Sequence, residues 1–159
     1  MEGKSVACSK VVMSAVMQPN QANPAGNVHG GEIMKMMDNA AFVCAQRHAL
    51  TNVVTARVDE LTFHLPIYIG NLVTCSAHLT FVGRTSMEAS VTVYVEDLYS
   101  NEPCRKALSG FFTMIALNAG KKPIRVPPLE IDTEEEKATF ELGRVRYQNY
   151  QRLRKTNAG

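Results

Sequence analysis

The feature that most constrains this chain is a change of hydrophobic period near residue 50. From Glu32 to His48 the apolar residues Ile33, Met36, Met37, Ala40 and Cys44 recur at helical spacing, with no proline between them. The segment is rich in Met and Ala and apolar over most of its circumference, so it predicts a long buried helix rather than a surface one. Beyond it the period falls to two. Val54, Ala56 and Val58 alternate with Thr55 and Arg57, stumble at Asp59-Glu60, and resume out of phase with Leu61, Phe63 and Leu65, which predicts a bulge. Val73 to Phe81 and Met87 to Val95 alternate cleanly with polar residues and predict two more strands, joined by a turn at Gly83-Arg84. Lys106 to Leu117 is apolar on both faces, as expected of a central strand.

Links of hairpin length imply an antiparallel sheet, and the one early helix has to pack on one face of it. Ahead of the helix, Lys4 to Met17 is rich in Val and Met and predicts a first strand. Gln18 to Asn27, with two prolines, three asparagines and a glycine, predicts a loop. The fold class is therefore α+β, with no second long helix to cover the other sheet face and a partner subunit expected there. After Lys121 the composition shifts. We divide the chain into a domain over 1–120 and, over 121–159, a proline-bearing connector followed by an amphipathic helix. Thr133 to Glu136 has the pattern of a capping box. Leu142, Val145, Asn149 or Tyr150, and Leu153 trace the stripe of that helix, and its basic residues gather in the second half, as the helix dipole favours.

Composition excludes several classes. Lys and Arg number 17 against 15 Asp and Glu, a net charge of +2, too balanced for a dedicated nucleic-acid-binding module. Cys8, Cys44, Cys75 and Cys104 are widely spaced, which argues against a structural zinc site or a disulfide framework; no metal is expected. The longest apolar run, Ala40 to Ala45, is far below the ~20 residues that span a bilayer, and residues 1–10 have no apolar signal core. The expectation is a soluble, cytoplasmic protein with no membrane partner.

Two places invite chemistry. Asp38 sits mid-helix with Met34, Ala41, Phe42 and Ala45 around it and no cation one turn away. A carboxylate in such a setting is costly unless paired, and suits an acid, a base or a nucleophile. Gly30-Gly31 opens the helix, where unpaired N–H groups can hold a carbonyl oxygen as it becomes an oxyanion.

The stretch Asn23-Pro24-Ala25-Gly26-Asn27-Val28-His29-Gly30-Gly31, followed by Ile33 to Asp38, resembles the signature of hotdog-fold acyl-CoA thioesterases, and most closely the cytosolic acyl-CoA hydrolase subgroup. Thr55 to Asp59, Phe63 with Pro66 and Gly70, and Val82 to Ser86 resemble the same subgroup. The resemblance implies a helix wrapped by an antiparallel sheet, dimers paired edge to edge, and trimers of such dimers. It implies hydrolysis of acyl-CoA without a cofactor, coenzyme A entering only as part of the substrate. Each site would combine Asn23 from one subunit with Asp38 from the other, with the Gly30 or Gly31 amide polarising the carbonyl. It further places His29, Arg57, Gly83, Arg84 and Ser86 among substrate contacts. Two alternatives stand beside it: a hotdog enoyl-CoA hydratase or dehydratase, which would use His64 or His29, and a non-catalytic acyl-CoA-binding module.

Overall fold

The computed structural model describes residues 1–158. Its elements in chain order are β1 (Lys4–Ser5), a 3-10 turn (Val6–Ser9), β2 (Val11–Val16), a second 3-10 turn (Pro19–Gln21), α1 (Gly30–Ala49), β3 (Asn52–Phe63), β4 (Leu72–Val82), β5 (Ser86–Glu96), β6 (Arg105–Leu117), β7 (Leu129–Glu130) and α2 (Glu134–Ala158). Five strands form one antiparallel sheet in the order β2-β4-β5-β6-β3. The connection from β2 to β3 thus runs from one edge of the sheet to the other, and α1 is laid across the inner face on the way. No helix among the described residues is long and apolar enough to cross a membrane.

The alternation read from the sequence maps onto this face. Val73, Cys75, Ala77 and Leu79 of β4, Met87 to Val93 of β5 at every second residue, and Leu108, Phe112 and Met114 of β6 are all buried, as are Ile33, Met37, Ala40, Ala41, Cys44 and Ala45 of α1. Ala40, Ala41 and Ala45 leave the helix backbone close to the sheet, while Met37 and Met87 supply volume where the two surfaces do not match.

Three expectations need correction. The first strand is not continuous over Lys4–Met17. Ser9 donates its hydroxyl to the Val6 carbonyl (2.6 Å) and accepts from the Leu79 amide (2.9 Å), which closes a 3-10 turn and splits the segment. Lys4–Ser5 then pairs in parallel with Leu129–Glu130.

Second, the outer face does have a helical cover. α2 lies on it through Phe140, Gly143, Arg146, Tyr147 and Tyr150. Phe81 of β4 stacks on Phe140 and Tyr147 with ring centroids 5.0 and 5.4 Å apart. A Cβ on Gly143 would come within 2.7 Å of the Phe81 Cβ, so only glycine lets the helix approach this closely. Arg146 clamps the buried Glu88 with two hydrogen bonds, 3.0 and 2.8 Å, and lies 3.7 Å over the Phe111 ring. The stripe Leu142, Val145, Leu153 faces outward instead and is about half exposed. Thr133 caps α2 as expected, accepting from the Glu136 amide at 3.0 Å, but the returning Glu136 carboxylate takes the Asp132 amide rather than that of Thr133.

Third, β3 carries two irregularities, not one. The bulge at Asp59–Thr62 is present, with Glu60 at φ 52° and Leu61 folded over Gly110. A further register shift between Thr55 and Arg57 makes Ala56 the extra residue. It reverses the phase: Val53 and Thr55 point toward α1, whereas Val54 points away.

Candidate active site

The loop before α1 is held by its own side chains. Asn23 Oδ1 accepts from the amides of Ala25 (3.0 Å) and Asn27 (3.1 Å), an Asx turn, and Gly26 adopts φ +90° to complete it. With Oδ1 so occupied, Asn23 has only its amide N–H groups to offer, and it can serve a substrate as a donor alone. Asn23 and Gly30 open on one cleft of about 140 Å³ whose remaining walls, including Ile33, Phe63 and Leu108, are largely apolar.

At the start of α1 the two glycines part company. His29 is the N-cap and accepts the Gly31 amide on Nδ1 at 3.0 Å. Gly31 is therefore already satisfied, and the N–H left free in the first turn beside the cleft is that of Gly30. Accepting on Nδ1 leaves neutral His29 a proton on Nε2, on an exposed ring. A Cβ on Gly30 would lie 3.3 Å from the Phe63 ring, close enough that the ring would have to shift by a few tenths of an ångström.

Asp38 is half buried on the side of α1 that faces β3. Its Oδ1 accepts from Thr55 Oγ1 at 2.5 Å, and Thr55 also touches Met114 Sδ at 3.4 Å. Above and below it on the helix are Met34 and Phe42, 38% and 39% exposed, so the carboxylate sits in an uncovered apolar stripe. Thr55 is the functional candidate that the sequence did not single out. Alternation put it on the polar side of β3, and only the bulge at Ala56 turns it inward.

Asp38 does not share the Asn23 cleft. Eight residues separate Gly30 from Asp38, a rise of ~12 Å along the helix. Neither a direct contact nor a single water bridges that gap within one chain.

The other sequence candidates fall elsewhere. Arg57 points from the outer face, bonded to Asp59 at 2.7 Å and stacked 4.3 Å over Tyr150 of α2. Gly83 and Ser86 close the β4–β5 turn through a 2.8 Å backbone hydrogen bond, with Ser86 Oγ buried and without a partner among the described residues. Arg84 is exposed at the tip. His64, the residue a dehydratase would use, bonds Ser109 Oγ at 3.2 Å on the face opposite α1, away from the cleft. Among the described residues no cluster of His, Cys, Asp and Glu has the form of a metal site.

Comparison with known proteins identifies the family. Residues 25–100 match the family model described as the thioesterase superfamily. The cytosolic acyl coenzyme A thioester hydrolase of Rattus norvegicus is 41% identical over 92% of this chain, and the chain spans 39% of that relative, so it corresponds to about two fifths of the longer protein. An uncharacterized acyl-CoA thioester hydrolase of Zymomonas mobilis is 40% identical, the match covering 72% of this chain and 76% of the relative. Among solved structures, an apo-hexameric acyl-CoA thioesterase superposes with a TM-score of 0.89 at 30% identity, covering 96% of this chain and 97% of that one. The acyl-CoA hydrolase of Staphylococcus aureus, in complex with butyryl coenzyme A, coenzyme A and coenzyme A disulfide, superposes with a TM-score of 0.85 at 28% identity, covering 98% and 95%. With its helix laid across a five-stranded antiparallel sheet in the hotdog manner, the chain belongs to the acyl-CoA thioester hydrolases of the thioesterase superfamily.

Proposed function

We propose that the protein hydrolyses acyl-CoA thioesters to a free fatty acid and coenzyme A, at sites shared between two subunits. The observation that carries this is the Thr55–Asp38 hydrogen bond in an uncovered apolar stripe, ~12 Å from the Asn23–Gly30 cleft of the same chain. A second subunit laid against β3 brings its own Asn23–Gly30 cleft to that carboxylate. β3 is an edge strand of 12 residues with Val54, Val58 and Phe63 exposed, an edge that a folded chain normally covers.

The staphylococcal hydrolase supports the same trio. Variants of it with alanine in place of an asparagine, an aspartate and a threonine have been solved, at intervals of 15 and 17 residues. Asn23, Asp38 and Thr55 are spaced by those same intervals. The hexameric relatives support a trimer of dimers, and the name of the rat relative supports a cytosolic setting.

In this reading the thioester carbonyl oxygen receives hydrogen bonds from the Gly30 amide and Asn23 Nδ2, both of them donors with no other duty. Such donors stabilise the tetrahedral oxyanion by about 2.7–4 kcal/mol each. Asp38, with Oδ1 anchored by Thr55, takes a proton from water on Oδ2 as the oxygen adds to the carbonyl carbon. When the C–S bond breaks, the sulfur leaves with the bonding pair and takes up that proton from Asp38. The Gly30 amide, the side chains of Asn23, Asp38 and Thr55, and water supply these steps, and His29 Nε2 is free to hold substrate at the cleft mouth.

The test mixes two inactive proteins. Asn23→Ala and Asp38→Ala homo-oligomers, unfolded together and refolded, form mixed dimers in which one site lacks both residues and the other has both. Random pairing makes half the dimers mixed, each with one working site of two, so release of free CoA thiol recovers to roughly a quarter of wild type if sites act independently. A correctly sized mixed population with no recovery refutes the shared site, and a wild-type protein that releases no thiol from any acyl-CoA refutes the function.

A further inference from the structure

The proposed reaction accounts for the acyl end of the substrate but not for its charged end. Around the β4–β5 turn lies a second cleft of about 420 Å³, separate from the Asn23 cleft, whose walls include Gly83, Arg84, Arg125 and Pro128. The two arginines come from distant parts of the chain. They are brought together because the Val126 amide donates to the Arg84 carbonyl at 3.0 Å, which fastens the connector after β6 to the tip of the hairpin. Both side chains are exposed. Among the described residues neither is ion-paired, and no acidic residue lines the cleft. Every other arginine singled out above has a partner: Arg57 has Asp59 and Arg146 has Glu88.

Two unpaired guanidinium groups lining one cleft that has no acidic wall offer it positive charge and free donors for an anion. Phosphate suits them best, because the planar fork donates two parallel hydrogen bonds to adjacent phosphate oxygens. The sheet also measures the distance to the reaction centre. Val82 pairs with Met87, Met87 with Met114, and Met114 with Thr55, so one cross-strand row runs from the edge of this cleft to the residue that holds Asp38. Three strand spacings make that row ~14 Å long. An extended pantetheine arm, which joins the thioester to the phosphates of coenzyme A, is a chain suited to such a span.

We propose that Arg125 joins Arg84 as a clamp for the phosphates of coenzyme A, and that the clamp serves the Asp38 of its own chain. This rests on the acyl-CoA reading above and adds to it a binding residue from the connector, together with an assignment of chain.

Calorimetric binding to the intact oligomer tests the clamp, with free coenzyme A, pantetheine (which has no phosphate) and adenosine 3′,5′-bisphosphate (phosphates without the arm) as probes. For Arg125→Gln the Kd of coenzyme A rises about tenfold or more, as expected for loss of a charge-assisted hydrogen-bond pair. The Kd of the bisphosphate rises in parallel, that of pantetheine stays within about twofold, and Arg125→Lys, which keeps the charge without the fork, falls between. An unchanged Kd for coenzyme A, or an equal loss for pantetheine, overturns the clamp. Loss for the bisphosphate alone also overturns it, since that cleft would then take nucleotides rather than the substrate. A wild-type protein that hydrolyses acyl-CoA while Arg125→Gln binds it normally discards this inference and leaves the hydrolase standing.

Mixed oligomers test the assignment of chain. With Arg125→Gln placed on the Asn23→Ala chain, which supplies the working Asp38, the recovered activity shows a raised KM. With Arg125→Gln placed on the Asp38→Ala chain, the KM matches that of the unmodified mixture. Equal effects, or the reverse order, overturn the assignment.

Discussion

Removing one hydroxyl, by Thr55→Val, isolates what the Thr55–Asp38 contact contributes. Valine keeps the β-branched shape that suits β3, and the site is partly open, so the fold loses less than about 1 kcal/mol. The chemistry loses more. Thr55 Oγ1 is the donor to Asp38 Oδ1, at 2.5 Å, and no cation backs it up. Hydrogen bonds to charged groups are worth about 1.5–3 kcal/mol. If that energy is spent on holding the carboxylate in the orientation from which Oδ2 meets water, its loss lowers kcat by ~10- to 150-fold at 1.36 kcal/mol per decade. In the proposed site Gly30 and Asn23, not Thr55, hold the thioester, so KM is expected to move by less than about threefold. Thr55→Ser restores the hydroxyl without the methyl group and stays within about threefold of wild-type kcat. The assay is steady-state release of CoA thiol, with far-ultraviolet circular dichroism and gel filtration to verify fold and assembly. A Thr55→Val protein with more than half the wild-type kcat refutes the reasoning, and so does a Thr55→Ser protein as poor as the valine variant.

Arg146→Met strands the Glu88 carboxylate, 3% exposed, beneath α2 and costs about 3–5 kcal/mol in chemical denaturation, whereas Glu88→Leu with Arg146→Leu recovers most of it; a single-variant loss below about 1 kcal/mol contradicts this. Burial pushes the thiols of Cys44 and Cys75 up to about 12, so a disulfide exchange reagent at neutral pH leaves both unmodified in the native protein and reaches them only in denaturant, and rapid native labelling of either one is the contrary result. His48 is buried with Nε2 donating to the Pro127 carbonyl at 2.7 Å and Nδ1 unpartnered among the described residues. Burial first, and Lys4 with it, hold its pKa below the usual 6.5, against the Pro127 hydrogen bond. The unfolded chain therefore takes up the proton first, so the stability associated with neutral His48 is complete above about pH 6.5 and declines as pH falls toward the folded value. His78 is lowered in the same direction by burial and Lys10, against Glu136 and Glu135, so His48→Gln makes that decline shallower without abolishing it, and an unaltered slope in denaturation midpoints against pH overturns the assignment.

The sequence by itself determined the elements that bury one face along their whole length. Ile33 to Cys44 recur every three or four residues because one side of α1 meets the sheet, and Val73 to Leu79 alternate because one side of β4 meets α1. Such periods are local consequences of burial and can be counted without a structure. Gly30 and Asp38 stood out for a related reason: glycines at a helix start and a carboxylate among apolar residues are anomalies against a regular background, whereas Asn23, one of three asparagines in its loop, was marked only by the family resemblance.

Tertiary structure decided whatever depended on a break in the period or on residues far apart in sequence. One extra residue at Ala56 reverses β3, and only then does Thr55 reach Asp38, 17 residues away. α2 has an apolar stripe at Leu142, Val145 and Leu153, yet it docks through Gly143 and Arg146, because a buried glutamate 58 residues earlier in the chain offers a charged partner and Phe81 leaves room only for glycine. The pairing of Arg84 with Arg125 follows from one backbone hydrogen bond between a hairpin tip and the connector. A periodic pattern reports which face is covered, but not what covers it, and the chemistry of this chain depends on the second.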